Sequence, residues 1–239
     1  MNQQSPTFIQ KSLAWGVHLF TASGLVCGFM AILAVNEKNW RMAMMWLVVA
    51  LIVDGVDGTF ARIFKVKEML PNVDGQSMDY VIDFATYAII PAYFFYEAQL
   101  VPDVWRLPCT SAILLVSALY YGKQGMVSDD MYFIGFPVMW NMVVFYLVFV
   151  WPQIPMLNVA LIFIFCILHF VPVKFVYPSQ STRFFKLTLT ATIIFFFTLI
   201  LIVFYYPERK LWLTVLSYLC IVYYAGMAVY NTWIEQAQE

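Results

Sequence analysis

The sequence predicts an all-α, polytopic integral membrane protein. Its composition and its long apolar runs support that fold class, and its net charge excludes another function. Of the 239 residues, 63% are hydrophobic and only 11% are charged, whereas soluble domains are about 45–50% apolar and about 25% charged. The apolar residues form runs long enough to cross a bilayer, separated by short polar breaks. The formal net charge is −1, so there is no basic surface for nucleic acid. The composition therefore excludes a soluble enzyme, a disordered chain and a nucleic-acid-binding protein.

The apolar runs define the individual elements. A membrane-spanning helix needs about 20 mostly apolar residues. By this measure about eight spans are predicted, of which the fourth is the shortest: Ser12–Val35, Trp40–Phe64, Ser77–Ala98, Leu107–Tyr121, Phe133–Val150, Met156–Phe175, Phe184–Tyr205 and Leu211–Trp233. The breaks are too short for a separate soluble domain, so we expect residues 1–239 to form a single membrane domain.

The basic residues indicate how the spans are oriented. Eight spans place both termini on the same side of the membrane. With the N-terminus inside, the cytoplasmic ends of the spans carry eight Lys and Arg residues and the opposite ends carry five. The positive-inside rule therefore favours cytoplasmic termini.

Acidic residues are concentrated in the second and third predicted spans. Residues three or four apart share one face of a helix, so each span presents a polar stripe. The stripes consist of Asp54, Asp57, Gly58 and Ala61 in one span and of Gly75, Asp79 and Asp83 in the other. Because a short loop joins the spans, they are antiparallel neighbours, and we expect the stripes to face each other near the cytoplasmic end.

Four facing carboxylates in an apolar setting need a compensating charge, since one Asp at the centre of a span costs about 2.5–3.5 kcal/mol. Carboxylate oxygens suit hard divalent cations such as Mg²⁺, Mn²⁺ or Ca²⁺. Two carboxylates from each helix can hold two ions. Protonation is one alternative. Pairing with Lys or Arg is another, but only Arg62, Lys65 and Lys67 are nearby and the acids outnumber them.

These residues resemble the signature of the CDP-alcohol phosphotransferase family, which reads D-x2-D-G-x2-A-R, a spacer, and G-x3-D-x3-D. All eight fixed positions match, at Asp54, Asp57, Gly58, Ala61, Arg62, Gly75, Asp79 and Asp83. The usual spacer between the Arg and the second Gly has eight residues, and here it has twelve, residues 63–74. The longer spacer is similar to that of the bacterial phosphatidylcholine synthase branch. So are the eight spans and two further runs, His18–Gly24 and Gly135–Asn141.

The resemblance implies a fold, a reaction and roles for these residues. The fold is that of the CDP-alcohol phosphotransferases, and the reaction transfers the phosphatidyl group from CDP-diacylglycerol to choline, with CMP as the second product. The cofactor is a divalent metal, Mn²⁺ or Mg²⁺, as two ions. Asp54, Asp57 and Asp79 are implied as metal ligands, with Asp83 beside the metals as general base. The donor is implied to contact these ligands and Thr21, Gly58, Ala61, Arg62 and Gly75.

Choline is a quaternary ammonium, and aromatic faces with a nearby acid bind such groups. The candidates are Asp129, Trp140 and Asn141 near the start of the fifth span, Tyr80 beside the acidic stripe, and His18, which shares a helix face with Thr21. Each has a plainer interpretation. With 19% aromatic residues, rings meet by chance, Asp129 can be a solvated loop residue, and Asn141 and His18 can be helix–helix donors.

Alternatives to this reaction remain open on the sequence. The acceptor can be serine, inositol or glycerol 3-phosphate, although the anionic ones should need basic residues that are scarce around the acids. An ion-coupled transporter should show midplane charges and often internal repeats, and a membrane scaffold leaves the acids unexplained. The resemblance further implies a homodimer in the bacterial inner membrane, in contact with membrane lipids, with the active site facing the cytoplasm.

Overall fold

The computed structural model describes residues 7–128, 131–151, 154–177 and 184–234. Within these ranges the regular structure is almost entirely helical, which confirms the all-α class. The α-helices are α1 Phe8–Asn36, α2 Trp40–Ile63, α3 Val66–Met69, α4 Gly75–Asp83, α5 Ile90–Glu97, α6 Asp103–Tyr121, α7 Trp140–Phe145, α8 Pro155–Leu168, α9 Phe185–Tyr205 and α10 Leu211–Val229. Phe84–Ile89, Tyr146–Val150 and Tyr230–Ile234 are π-helical. Two short strands, β1 Tyr132–Ile134 and β2 Lys174–Val176, pair antiparallel.

Side-chain caps explain where the helices next to the acidic stripes begin. The Thr7 hydroxyl accepts a hydrogen bond from the Gln10 N–H, and the Gln10 side chain accepts one from the Thr7 N–H, which forms a capping box at the start of α1. The Asn39 side chain accepts from the Met42 N–H at the start of α2. Asp74 does the same for α4, with the N–H groups of Gln76 and Ser77. These caps satisfy N–H groups that have no partner within the helix.

In the described part of the chain, five helices are long and apolar enough to cross a membrane: α1, α2, α6, α9 and Leu211–Ile234. The chain is therefore a polytopic membrane protein. A sixth rod, residues 75–97, consists of α4, a π-helical segment and α5 without a break. At about 1.5 Å per residue, it is also about as long as the hydrocarbon core is thick. It corresponds to the predicted third span, and it begins two residues earlier than expected.

The predicted limits of the fifth and sixth spans are wrong. Residues 132–134, at the expected start of span five, form β1, and the helix begins only at Trp140. The sixth span was expected to end at Phe175, but α8 stops at Leu168 and residues 174–176 form β2. Gly135 adopts φ +89°, which is outside the helical region, and Pro137 and Pro172 have no N–H to continue a helix. The rods Trp140–Val150 and Pro155–Leu168 are consequently short.

The fourth span is longer than the sequence predicted. It begins at Asp103 and not at Leu107, and it runs for 19 residues to Tyr121. Pro102 precedes the first turn, where its missing N–H is of no consequence, and the Asp103 carboxylate lies at the positive end of the helix dipole. The connection between α5 and α6, from Glu97 to Asp103, is therefore shorter than the predicted spans imply.

The packing order of the helices places α1 at the centre of the acidic region. α1 and α2 form a long hairpin joined by a tight turn, and α1 also packs against α3, α4 and α5. The end of α6 packs against the π-helical segment that follows Asp83. α9 and α10 pair with each other, and α9 packs against α2. Large apolar side chains on α9 and α10, such as Phe197 and Leu219, are exposed, as expected for surfaces that face lipid.

Candidate metal centre

Three carboxylates from two helices meet at one point. Asp54 and Asp57 lie one turn apart on α2, and Asp79 lies on α4. Each offers one oxygen, and these oxygens all lie within 4.8 Å of one another. Asp57 is buried, while Asp54 and Asp79 are half-buried. Three of the four acidic residues of the predicted stripes therefore lie together.

The chemistry of this group fits a divalent cation. Carboxylate oxygens are hard ligands, and an ion at their centre would cancel the repulsion between them. Among the described residues, no Lys or Arg forms an ion pair with Asp54, Asp57, Asp79 or Asp83; the ion pairs Arg106–Asp103 and Lys210–Glu208 lie elsewhere. The alternative in which basic side chains neutralise the acids is therefore not seen in this part of the chain.

Asp83 lies beside this group and not within it. One turn beyond Asp79, its carboxyl lies next to that of Asp54. Its Oδ1 is buried and has no hydrogen-bond partner among the described residues. A buried acceptor without a partner is costly. The Asp83 oxygen is thus free to accept a proton or to contact a bound group.

α1 contributes two polar side chains to the same region. The Thr21 hydroxyl lies beside the Asp57 carboxylate. His18, one turn earlier, is 7% exposed, and its Nε2 has no partner among the described residues. A Cβ added to Gly75 would lie 3.1 Å from His18 Cε1, so the imidazole packs directly against the first residue of α4.

The start of α4 is set by Asp74. The Ser77 hydroxyl donates to one oxygen of the Asp74 carboxylate, at 2.5 Å, and the N–H groups of Ser77 and Gln76 donate to the other. These bonds, with the Ser77 hydroxyl foremost, lower the pKa of Asp74. The cap therefore stabilises the helix above the unfolded-state pKa and is lost as the pH falls through the lowered one.

The small residues of the motif occupy different surroundings. At Gly58 the nearest atom to an added Cβ would be Arg62 Nη1, at 3.7 Å, which is an ordinary van der Waals contact. Arg62 is exposed and donates to the Thr59 hydroxyl. Ala61 packs against an apolar contact between α1 and α3, formed by Ala14, Val17 and Val66. The Arg62 side chain therefore lies beside Gly58, whereas Ala61 faces the packing of α1.

Two tyrosines near the acids were not predicted from the sequence. The Tyr87 hydroxyl donates to Asp54 Oδ2 at 2.7 Å, and the Tyr87 side chain is buried. The phenol of Tyr121, the last residue of α6, lies close enough to Asp83, Asp54 and Asp79 to interact with them electrostatically. Tyr87 continues the four-residue spacing of Asp79 and Asp83, a signal that could have revealed it. Tyr121 has no comparable signal, because only the packing of α6 brings it here.

The predicted choline contacts are distributed over two places. Tyr80 adjoins the acids on α4 and is 42% exposed. Trp140 is fully buried; its indole N–H donates to Ser117 Oγ at 2.9 Å, and its ring stacks on His169. Asn141 is also buried, and its Oδ1 accepts from the Met142 N–H. Asp129 lies outside the described residues.

No family model matches the chain. Curated relatives do, and each of the following carries the name phosphatidylcholine synthase. The relative from Pseudomonas aeruginosa is 36% identical over 228 residues, which cover 95% of each chain. That from Borreliella burgdorferi is 38% identical over 78% of this chain and 79% of its own. That from Rhizobium meliloti is 41% identical over 71% and 70%.

The chain belongs to the phosphatidylcholine synthase family. The similarity to the Pseudomonas relative spans nearly the whole chain, so it includes the acidic residues of α2 and α4 as well as the helices around them. The phosphatidylcholine synthase branch suggested by the longer spacer is thereby confirmed.

Proposed function

We propose that this chain is a metal-dependent phosphatidyltransferase that converts CDP-diacylglycerol and choline to phosphatidylcholine and CMP. Membership of the phosphatidylcholine synthase family supports the product. The observation that carries the chemistry is the convergence of Asp54, Asp57 and Asp79 within 4.8 Å. A lipid diphosphate is the kind of substrate that such a site handles, since Mg²⁺ and Mn²⁺ are commonly shared between carboxylates and substrate phosphates.

Asp54, Asp57 and Asp79 would hold the metal, and Asp83 would contribute to a second ion. The ions are Mn²⁺ or Mg²⁺. When bound, they neutralise the charge of the diphosphate and of the departing CMP. Asp57 is the most deeply buried of the three, and the neighbouring Thr21 hydroxyl orients its carboxylate.

The donor lies with its acyl chains in the bilayer and its CDP group over α2 and α4. Gly58 has no side chain, so the nucleotide can approach the α2 backbone beside Arg62. Ala61 has a small side chain and Gly75 has none, which allows the donor to come close to the helices. Thr21 lies near the nucleotide part of the donor. Arg62 is exposed beside Gly58, where its guanidinium can reach a phosphate oxygen.

Asp83 is the catalytic base. Its buried Oδ1 has no hydrogen-bond partner among the described residues, so it can accept the proton of the choline hydroxyl. The choline oxygen then forms a bond to the phosphorus that carries diacylglycerol. The bond between that phosphorus and the bridging oxygen of the diphosphate breaks, and CMP leaves with the electron pair. The proton stays on Asp83 until it is released to solvent.

The acceptor approaches from the cytoplasm, because choline is a water-soluble molecule and the site is proposed to face that side. Tyr80 is exposed next to Asp79 and is the candidate that best meets this requirement. Contacts of choline with His18, Asp129, Trp140 and Asn141 stay predictions. Of these, Trp140 is the least accessible, because His169 covers one face of its indole.

We propose eight membrane crossings in the order in which the sequence predicts them. In the described residues they correspond to α1, α2, residues 75–97, α6, Trp140–Val150, Pro155–Leu168, α9 and Leu211–Ile234. The two short rods, Trp140–Val150 and Pro155–Leu168, are continued by non-helical backbone whose hydrogen bonds are satisfied within the protein. The Gly135 N–H donates to Val173 O and the Phe136 N–H to Leu168 O. Such backbone is tolerated at membrane depth when it is buried in protein. An even number of crossings and the positive-inside rule place both termini and the site at the cytoplasmic side of the bacterial inner membrane.

A homodimer is proposed on the family resemblance. Cross-linking in native membranes, read as a doubled mass, tests it.

The reaction is tested with purified protein in phospholipid vesicles that contain CDP-diacylglycerol. With Mn²⁺ or Mg²⁺, radiolabelled choline should appear in lipid while CMP is released in equal amount, and EDTA should abolish both. Labelled serine, inositol and glycerol 3-phosphate serve as comparison acceptors. Incorporation of one of these without incorporation of choline would assign a different acceptor. A supply of CDP-diacylglycerol that is never consumed would refute the transferase.

A further inference from the structure

We propose that Tyr121 of α6, together with Tyr80 and Phe84 of the α4 rod, forms the subsite that binds the quaternary ammonium of the acceptor. This rests on the proposed function, because it names where the choline of that reaction is recognised. It adds a residue from a distant part of the sequence, and it places the subsite at the acids and not at Trp140.

The three rings form a corner. The Tyr121 ring lies 6.2 Å from that of Tyr80, at an interplanar angle of 76°, and 5.6 Å from that of Phe84, at 85°. Tyr121 therefore meets both neighbours edge to face, and the walls of the corner stand nearly at right angles. Trimethylammonium groups have no N–H to donate and are bound by aromatic faces of this kind.

The corner adjoins the reacting groups. Tyr80 and Phe84 lie one turn apart on the same rod, and Asp83 directly precedes Phe84. The Tyr121 ring contacts that of Phe84, the residue directly after Asp83. A choline whose ammonium contacts these rings thus keeps its hydroxyl close to Asp83, the proposed base. The nearby carboxylates attract the cation and disfavour anionic acceptors.

The corner is also accessible and held in place. Tyr80 is 42% exposed, and Tyr121 and Phe84 are half-buried, so the rest of the described chain does not cover these rings completely. Gln76 Nε2 donates to the Tyr80 hydroxyl at 2.9 Å, which restrains that ring. Trp140, by comparison, is fully buried against His169. One face of the Trp140 indole is already covered by the His169 imidazole.

The test replaces each ring by Leu, which keeps apolar volume and removes the π face. In Tyr121→Leu and Tyr80→Leu the KM for choline should rise about tenfold, with kcat and the KM for CDP-diacylglycerol unchanged. Tyr121→Phe keeps the aromatic face and should therefore raise the KM for choline far less than Tyr121→Leu. Tyr218→Leu, an equally large change on the distant helix α10, is the matched control. Thermal unfolding of each variant verifies that it is folded.

A neutral isostere separates recognition of charge from loss of shape. In 3,3-dimethylbutan-1-ol a carbon replaces the choline nitrogen, so it has the same outline without the charge. Wild type should prefer choline strongly, and the Leu variants should lose most of that preference. An unchanged choline KM in both Leu variants would overturn the proposal. So would a fall in kcat with the preference intact, or a Tyr121→Phe variant as impaired as Tyr121→Leu.

Failure of the proposed reaction is recognised separately. If wild type makes no phosphatidylcholine, equilibrium dialysis with radiolabelled choline tests the subsite directly. Binding to wild type that is lost in Tyr121→Leu would support it even then. Equal binding to both proteins, or none to either, would refute it.

Discussion

The hydroxyl of Tyr87 donates a hydrogen bond to Asp54 Oδ2, with 2.7 Å between the two oxygens. Tyr87 lies in the π-helical segment Phe84–Ile89, directly after Asp83, and it is 7% exposed. The bond leaves the other oxygen of Asp54 for a metal and restrains the carboxylate from rotating. We therefore predict that the buried Tyr87 positions the carboxylate of Asp54, one of the proposed metal ligands.

Tyr87→Phe should weaken metal binding while the fold is retained. Removal of a hydrogen-bond partner of a ligand typically lowers metal affinity about 10–100-fold. Titration of the purified protein with Mn²⁺, with free ion measured by electron paramagnetic resonance, gives the affinity without any turnover. Activity at saturating metal should recover much of its wild-type value.

The matched control is Tyr146→Phe. Tyr146 is similarly buried, and its hydroxyl donates to the Ser217 carbonyl at 3.1 Å, far along the chain from the acids. This variant should lose some thermal stability and leave the Mn²⁺ affinity as it was. Equal Mn²⁺ affinities for wild type and Tyr87→Phe would show that the bond does not position Asp54.

Asp83→Asn and Asp79→Asn should fail in different ways. Asn cannot accept the choline proton, so Asp83→Asn should lose about 10²–10⁴-fold in kcat, the usual contribution of a general base, and keep at least one Mn²⁺ ion. Asp79→Asn removes a charged ligand of the central group and should lose Mn²⁺ affinity as well as turnover. The readouts are the radiolabelled choline assay and the Mn²⁺ titration. Substantial turnover by Asp83→Asn would exclude its role as the base.

Gly75→Ala should act through His18. The new Cβ would lie 3.1 Å from His18 Cε1, so the imidazole or the start of α4 has to move by a few tenths of an ångström. We expect a higher KM for CDP-diacylglycerol. The double variant Gly75→Ala/His18→Ala removes the collision and should regain part of the loss, an interaction that a double-mutant cycle measures. Strictly additive effects would mean that Gly75 serves only the substrate.

Gly135→Ala should strongly destabilise the fold. Gly135 has φ +89°, and a Cβ there would lie 2.1 Å from the His169 carbonyl oxygen. The backbone conformation alone costs on the order of 1–3 kcal/mol for a residue with a side chain, and the collision adds to it. Thermal unfolding in detergent checks this. Gly16→Ala, in α1 with nothing within 4 Å of the added Cβ, should unfold no earlier than wild type.

Local pattern was enough to predict the helices and the acidic site. The apolar runs predicted both ends of α2 and the end of α1 to within one residue, whereas α1 begins at Phe8, four residues before the predicted Ser12. The meeting of Asp54, Asp57 and Asp79 follows from their spacing and from the short connection between the two spans. A four-residue interval determines a helix face whatever the tertiary structure.

Prediction failed where the backbone leaves the helix inside an apolar run. Residues 132–134 are aromatic or aliphatic, and Phe175 and Val176 follow a single lysine, yet the two segments pair as strands. Gly135 and the two nearby prolines interrupt the helices, and the pairing satisfies the freed N–H and C=O groups. Hydropathy does not distinguish such a hairpin from the end of a span, because both bury apolar side chains.

The fold class, the order of the spans and the positions of four carboxylates on two helix faces could be predicted, since all of these depend on residues close together in the chain. Which side chains from other helices surround those carboxylates depends on the tertiary structure. His18 and Thr21 come from α1, 33 or more residues before Asp54, and Tyr121 comes from the end of α6. Their arrival depends on how separate helices pack, and no periodicity within one helix encodes that.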